Sequence, residues 1–239
     1  MGRQKNTIIS ATVGNVIYYT RWNKGYIRQK PAVVNMADVA IANAGIFGQA
    51  VTAATTIRKT LLPLIISGMN RPLMYRLNEA VRQCITAGIF DNPTPQILTP
   101  LTGFTLNKAT SFTERFKKTI TITKDAGNTL HLNIPALQPA TNITAPAKTK
   151  LVYLQAIALC ADLHKGTIIK TGHKEWMLPY TNEMLPPQQW NAEGCVLPQC
   201  ISIVAAGLCY SLTGMAAGVY DERPAWIPAD ILWAEWGGI

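Results

Sequence analysis

Residues 119–134, TITITKDAGNTLHLNI, decide the fold class of this 239-residue chain. Threonine and isoleucine alternate over residues 119–123, and Leu130, Leu132 and Ile134 alternate with polar residues after the segment Asp-Ala-Gly-Asn. A period of two places successive side chains on opposite faces of a strand, and the intervening segment is typical of a turn. The stretch therefore predicts an antiparallel hairpin with one buried face.

The residues that follow this hairpin predict further strands. Two apolar runs, 151–159 and 200–210, are typical of buried strands, and residues 167–170 predict a short strand flanked by glycines. Residues 177–199 contain four prolines and predict a long loop, with or without a short strand. Several short strands at this spacing favour an antiparallel, immunoglobulin-like β-sandwich over residues 96–223.

The first 95 residues have a different pattern. They predict a basic β-hairpin over residues 13–30, a helix from Asn35 to a point before Pro63, and a helix from Asn70 to Gly88. In the first helix, small and apolar residues form one stripe over residues 39–57, and Asp38 lies in the first turn, where a negative charge suits the helix dipole. The proline-rich residues 91–103 are the candidate boundary between this region and the sandwich.

The last segment, residues 224–239, is rich in tryptophan and predicts one or two turns of apolar helix. Because each tryptophan can bury ~150–250 Å², the segment is expected either to pack on its own core or to dock into a neighbouring copy. The candidate docking residues are Trp226, Ile231, Leu232, Trp233 and Trp236. Together the patterns predict an α+β protein with regions 1–95, 96–223 and 224–239.

Charge is distributed unevenly along the chain. The formal net charge is +9, and charged residues are only 15% of the sequence, against ~25% in an average protein. Residues 1–90 contain eleven basic and two acidic side chains, whereas residues 91–239 contain eleven of each. This asymmetry indicates an anionic partner for the first segment, which could be nucleic acid, an acidic membrane surface or an acidic patch on a neighbouring subunit.

Aromatic and basic residues are interleaved in the N-terminal hairpin. The candidate contact residues are Arg21, Trp22, Lys24, Tyr26, Arg28 and Lys30. Rings next to cations suit single-stranded nucleic acid, through base stacking and phosphate contacts. The same residues also suit a hairpin that packs on protein, with lysine and arginine protecting the strand edge. Both interpretations remain open from the sequence.

The sequence contains no recognisable catalytic motif. Nucleotide-binding glycine loops, the Gly-x-Ser-x-Gly elbow and His-Glu-x-x-His are all absent. Cys195, Cys200 and Cys209 lack the close ligand spacing of structural zinc sites, and a mixed site built from His164, His173, Cys195 and Cys200 is disfavoured because such cysteines are more often small apolar core residues. We therefore expect no enzyme activity, no cofactor and no metal, with all five cysteines as free thiols.

Two charge-free stretches, residues 39–57 and 201–220, are too polar to predict a membrane span. The N-terminal residues also lack the long apolar run of an export signal. We expect synthesis in the cytoplasm, with later release only as part of a particle.

The hairpin resembles the opening of a known but uncharacterised bacterial family. Residues 13–19, VGNVIYY, and 25–31, GYIRQKP, are similar to the Gly-Asn-Val-Val hairpin of that family, which ends in Tyr-Val-Arg-Ser-Arg-Pro. The resemblance implies a helical stretch followed by an immunoglobulin-like region, and it implies no particular biochemistry. The chain departs from the family at residues 34–38, where it has Val-Asn-Met-Ala-Asp in place of Asn-Pro-Arg-Thr and a glutamine-rich helix start.

These features predict a non-enzymatic structural subunit that assembles with copies of itself or docks into a larger bacterial or phage particle or filament. The contact elements would be the N-terminal hairpin and the C-terminal tail. The alternative prediction is a nucleic-acid-binding protein that uses the basic, aromatic hairpin.

Overall fold

The computed structural model describes residues 3–5, 8–22, 24–31, 37–65, 71–162, 165–215 and 219–238, with backbone alone before residue 10. Two compact units are present, residues 1–43 and 44–239. Both helices and antiparallel sheets occur, which confirms the predicted α+β class. Asn35 and Asn70, the residues from which the two long helices are predicted to start, lie outside the described residues.

The first unit contains a four-stranded antiparallel sheet. Its strands are β1 (Arg3–Lys5), β2 (Ile8–Val13), β3 (Val16–Arg21) and β4 (Lys24–Gln29), paired in that order. The predicted hairpin is confirmed as β3 and β4, and the structure adds two strands before it. Gly14 has φ +56° in the turn between β2 and β3, a conformation that glycine adopts without strain.

Both long helices are confirmed. The helices are α1 (Asp38–Thr60), α2 (Arg71–Thr86), α3 (Phe112–Arg115) and α4 (Pro139–Asn142), with short 3₁₀ turns at Leu62–Leu64, Ile89–Asp91 and Pro224–Trp226. Asp38 lies in the first turn of α1 as predicted. In α3, Ser111 caps the helix and forms a reciprocal capping box with Glu114.

Two antiparallel sheets make up the rest of the second unit. Their strands are β5 (Gln96–Ile97), β6 (Thr121–Lys124), β7 (Leu130–Ile134), β8 (Thr149–Asp162), β9 (Thr167–Pro179), β10 (Gln188–Ala192), β11 (Ile201–Leu212) and β12 (Ala229–Trp236). The larger sheet has the order β5-β12-β11-β8-β9, and the smaller sheet has the order β10-β7-β6. The hairpin predicted from residues 119–134 is thus β6 and β7.

The larger sheet is covered on both faces within the second unit. On one face, Ile57, Leu77 and Val81 of the long helices share a core with Ile203 of β11. On the other face, Val204 of β11 shares a second core with β7 and β10 of the smaller sheet. Consecutive residues of β11 therefore enter different cores, as the alternation of a strand requires.

The structure corrects the prediction of an apolar helix in the tail. Residues 229–236 form β12, which pairs with β11 and is bonded at its end to β5. A strand buried on both faces is apolar almost continuously, so its sequence is hard to distinguish from that of a buried helix.

The division into 1–95, 96–223 and 224–239 does not coincide with the two compact units. Leu98 and Leu101, within the proline-rich segment, are buried in the same core as α2 and β12. This segment therefore connects the helices to the sheet within one unit.

Candidate partner-binding surface

Cations and paired aromatic rings share one face of the N-terminal sheet. The register of β3 and β4 places Tyr19 opposite Tyr26 and Arg21 opposite Lys24, and Arg28 lies one step further along that face. Directly opposed residues of an antiparallel pair lie on the same face. We call Tyr19, Arg21, Lys24, Tyr26 and Arg28 the cationic face.

The aromatic pair lies at the centre of the cationic face. The rings of Tyr19 and Tyr26 are stacked, with centroids 5.5 Å apart and planes at 20°. The guanidinium carbon of Arg28 lies 5.7 Å from the Tyr19 ring centroid on one side, and Arg21 and Lys24 lie on the other side. Both tyrosines remain more than one-third exposed. The arrangement offers a flat ring surface between two positive ends.

Trp22 lies at the tip of the hairpin and is 78% exposed. Its backbone has φ +49°, in the left-handed region that few residues other than glycine adopt. The guanidinium carbon of Arg21 lies 4.1 Å from the centroid of its ring, within cation–π range. The most exposed ring of the hairpin is therefore held next to a cation.

The opposite face of the same sheet is apolar. Val13 pairs with Val16, and Tyr18 pairs with Ile27, so these four residues share that face. Ile27 is 68% exposed and Val13 is 62% exposed. A sheet generally needs a hydrophobic face packed on another layer to be stable. We call Val13, Val16, Tyr18 and Ile27 the apolar face.

The start of α1 is also apolar and uncovered. Val39 is 72% exposed, Ile41 is 55% exposed and Phe47 is 57% exposed. From Ala50 onward the same helix is buried through Ala53, Ala54 and Ile57, which belong to the apolar stripe predicted from the sequence. Among the described side chains, Ala50 is the first buried residue of the chain. The apolar pattern of the helix thus continues beyond the part that the core covers.

The six contact residues predicted in the hairpin are all exposed. Within the described part of the chain, Arg21, Lys24, Arg28 and Lys30 have no acidic partner. The backbone N–H of Lys30 donates to the carbonyl oxygen of Asn15 at 2.6 Å, which extends the pairing past the end of β4. The six predicted contact residues do not include Tyr19, although alternation along β3 places it on the same face as Arg21.

The five predicted docking residues of the tail are buried or partly buried in the second unit. Ile231 and Trp236 are fully buried, and the indole N–H of Trp236 donates to the carbonyl oxygen of Asn92 at 3.0 Å. These two residues complete their own core, so their predicted docking role is wrong. The other three predicted docking residues, Trp226, Leu232 and Trp233, are partly buried against the second core.

His131 forms a hydrogen-bonded cluster with Asp125 and Asn191. Its Nε2 lies 3.0 Å from Asp125 Oδ2, and its Nδ1 lies 2.9 Å from Asn191 Oδ1. The hydrogen bonds to Asn191 and Asp125 raise the pKa of the imidazole above its usual value. With both nitrogens facing oxygen atoms, the charged ring donates twice, and it links β7 to β10 and to the turn after β6.

The cysteines are buried free thiols, as predicted. Burial raises the pKa of Cys84 to about 11 and the pKa of Cys160 and Cys209 to about 12. Such thiols form little thiolate at neutral pH and are poor nucleophiles. Among the described residues, no three His, Cys, Asp or Glu side chains are grouped to hold a metal ion. His164 of the mixed site considered above lies outside the described residues.

None of the helices in the described ranges combines the length and apolarity needed to cross a membrane. Comparisons of the chain with protein-family models, with curated proteins and with solved structures each gave no match.

Proposed function

We propose that the chain is a non-enzymatic structural subunit that assembles with further copies of itself into a bacterial or phage particle or filament. The uncovered apolar surface at the start of the chain is the observation that carries the proposal. No described side chain before Ala50 is buried, although the apolar face and the start of α1 contain large apolar residues. The residues of the apolar face are neighbours in the register of β2, β3 and β4, and a contiguous apolar patch of this kind marks a contact site in soluble proteins.

Energetic considerations favour an assembly with several contacts. Burial of a valine, isoleucine or phenylalanine side chain contributes about 1.5–3 kcal/mol, so residues that are 55–72% exposed can each still contribute about 1–2 kcal/mol. Association itself costs about 4–15 kcal/mol. Contacts through Ile27, Val39, Ile41 and Phe47 of one copy would therefore be weak alone, and repeated contacts between copies would stabilise the assembly.

The charge distribution supports a second copy of the chain as the partner of the apolar face. The cations of β3 and β4 lie on the cationic face, which leaves the apolar face free of charge. Two apolar faces can therefore meet without opposing like charges, as a two-fold contact requires. An arrangement of the two stacked sheets like that of immunoglobulin domains is part of the same proposal, and the face-to-face second core supports it.

Light scattering after size-exclusion chromatography, followed by negative-stain microscopy, tests the proposal. We expect the mass to rise with protein concentration. Ile27→Thr keeps a β-branched residue in β4 but removes apolar surface, so it should shift the equilibrium toward monomer. The matched control is Ile97→Thr, an exposed isoleucine of β5. A chain that stays monomeric at every concentration contradicts the proposal.

The cationic face favours a second candidate function, the binding of single-stranded nucleic acid. A base can stack on the Tyr19–Tyr26 pair while phosphates on either side meet Arg28 and the Arg21–Lys24 pair. This surface lies on the side of the sheet opposite the apolar face, so the two functions are compatible.

Fluorescence anisotropy with a single-stranded oligonucleotide over a range of salt concentrations tests this candidate. Each phosphate contact contributes about −0.7 to the slope of log affinity against log salt. Replacing Arg21, Lys24 and Arg28 together by glutamine should reduce that slope by about 2. The control replaces Lys108, Lys117 and Lys118, which are exposed lysines of the second unit. An equal loss of affinity in both triple variants would exclude a specific role for the cationic face.

A further inference from the structure

The larger sheet of the second unit has one long free edge. β9 contains 13 residues, and among the described residues it pairs with β8 alone. At the other edge, β5 contains only two residues. An unpaired edge presents a row of backbone N–H and C=O groups that can pair with another strand.

The side chains of β9 also leave this edge accessible. Trp176 and Leu178 point into the second core, whereas Ile169 is 49% exposed and Met177 is 63% exposed. A shift in the pairing with β8 between Cys160 and Ala161 marks a bulge near Ile169. Beyond this bulge, residues 170–179 follow one continuous register.

We infer that β9 pairs antiparallel with the β9 of a second copy, centred on His173, so that two five-stranded sheets join into one. The inference rests on the proposed function and names one of the contacts through which copies assemble. An antiparallel pair of identical strands is self-complementary and has two-fold symmetry, like most homodimer contacts.

The two lysines of this segment exclude the registers on either side of the one centred on His173. Centring the pair on His173 places Lys174 opposite Gly172 and Lys170 opposite Trp176, so no lysine meets a lysine. Centring it on Gly172 would place Lys170 opposite Lys174 twice, and centring it on Lys174 would place that residue opposite its own copy. Like charges directly opposite each other destabilise strand pairs.

The apolar residues favour the same register. Centring on His173 places Thr171 opposite Glu175 and brings Ile169 next to Met177 at both ends of the paired segment. These are the large apolar residues of β9 that the described structure leaves exposed. Their mutual burial adds apolar contact to the backbone hydrogen bonds.

Charge swaps at His173 test the inference in the full chain. Because this residue meets its own copy, His173→Lys and His173→Glu should each weaken self-association, measured by sedimentation velocity. An equimolar mixture of the two variants should restore it, because each lysine then meets a glutamate. The control is Lys108→Glu, a charge swap at an exposed residue that is distant from β9 in sequence.

Cysteine cross-linking gives a second, independent measurement. His173→Cys should form a covalent dimer with a mild oxidant, and several-fold less dimer should form with Lys174→Cys. The five native cysteines are buried and contribute little background. A dimer formed instead by Lys174→Cys overturns the register.

The possible failures are distinguishable. If the wild-type protein assembles but the swaps at His173 change nothing and His173→Cys does not cross-link, the inference about β9 is wrong and the proposed function stands. If the wild-type protein remains monomeric, the proposed function fails and the inference fails with it.

Discussion

Phe47→Ala tests whether the exposed start of α1 is a contact surface. The side chain is 57% exposed and belongs to neither buried core of the described chain. Full burial of phenylalanine contributes up to about 3 kcal/mol, so burial of the exposed part in an assembly contributes about 1.5 kcal/mol per copy. A two-fold contact includes the residue twice, so the substitution should weaken the free energy of association by about 3 kcal/mol. This corresponds to an increase of roughly 100-fold in the dissociation constant.

Sedimentation equilibrium over a wide concentration range measures this change. The free energy of unfolding of the subunit should change by no more than about 0.5 kcal/mol, because an exposed side chain is removed and alanine favours a helix. Tyr75→Ala is the matched control, since Tyr75 is an aromatic residue of α2 that is 63% exposed. An unchanged dissociation constant, or an equal change in the control, would refute the assignment of this surface.

Three further predictions concern the folded chain. Burial raises the pKa of Asp230 to about 6, above its value in the unfolded chain. Because the unfolded chain loses this proton first as the pH rises, the free energy of unfolding falls by up to about 3 kcal/mol between about pH 4 and pH 6. Asp230→Asn should abolish this fall in urea titrations, while its amide oxygen still accepts from the N–H of Phe112; a fall of equal size in the variant would contradict the assignment. Trp236→Ala should lower the free energy of unfolding by about 3–5 kcal/mol, because the ring is fully buried, and a loss below about 1 kcal/mol would show that the tail does not complete the core. A thiol reagent should titrate the five cysteines only after denaturant is added, and rapid labelling of the native protein would contradict their burial.

The elements with strong local periodicity could be predicted from the sequence. Alternation in residues 119–134 identified β6 and β7, and the helical stripe ending at Ile57 identified α1. Such patterns arise because one face of the helix or strand is buried, and they can be recognised from neighbouring residues alone.

The tail could not be predicted in the same way. Ile231 and Trp236 are apolar because two layers cover β12, and this depends on pairing with β11 and β5, far away in sequence. For the same reason, the sequence did not show that Leu98 and Leu101 share a core with α2. At the candidate surface, the sequence predicted the cations and Trp22 of the hairpin, but not that β2 would add Val13 to an apolar face beside Ile27.

Two different self-complementary contacts on one chain have an effect that neither has alone. A single two-fold contact closes into a dimer, whereas two such contacts on each copy alternate and build an open filament or layer unless the geometry closes. The apolar start of the chain and the edge of β9 would be two contacts of this kind. Blocking the edge with His173→Lys should leave dimers, and blocking the apolar start of the chain with Ile27→Thr, Val39→Glu and Phe47→Glu should also leave dimers. Combining the four substitutions should give monomers by light scattering. Large assemblies that persist in the combined variant would show that other surfaces join the copies.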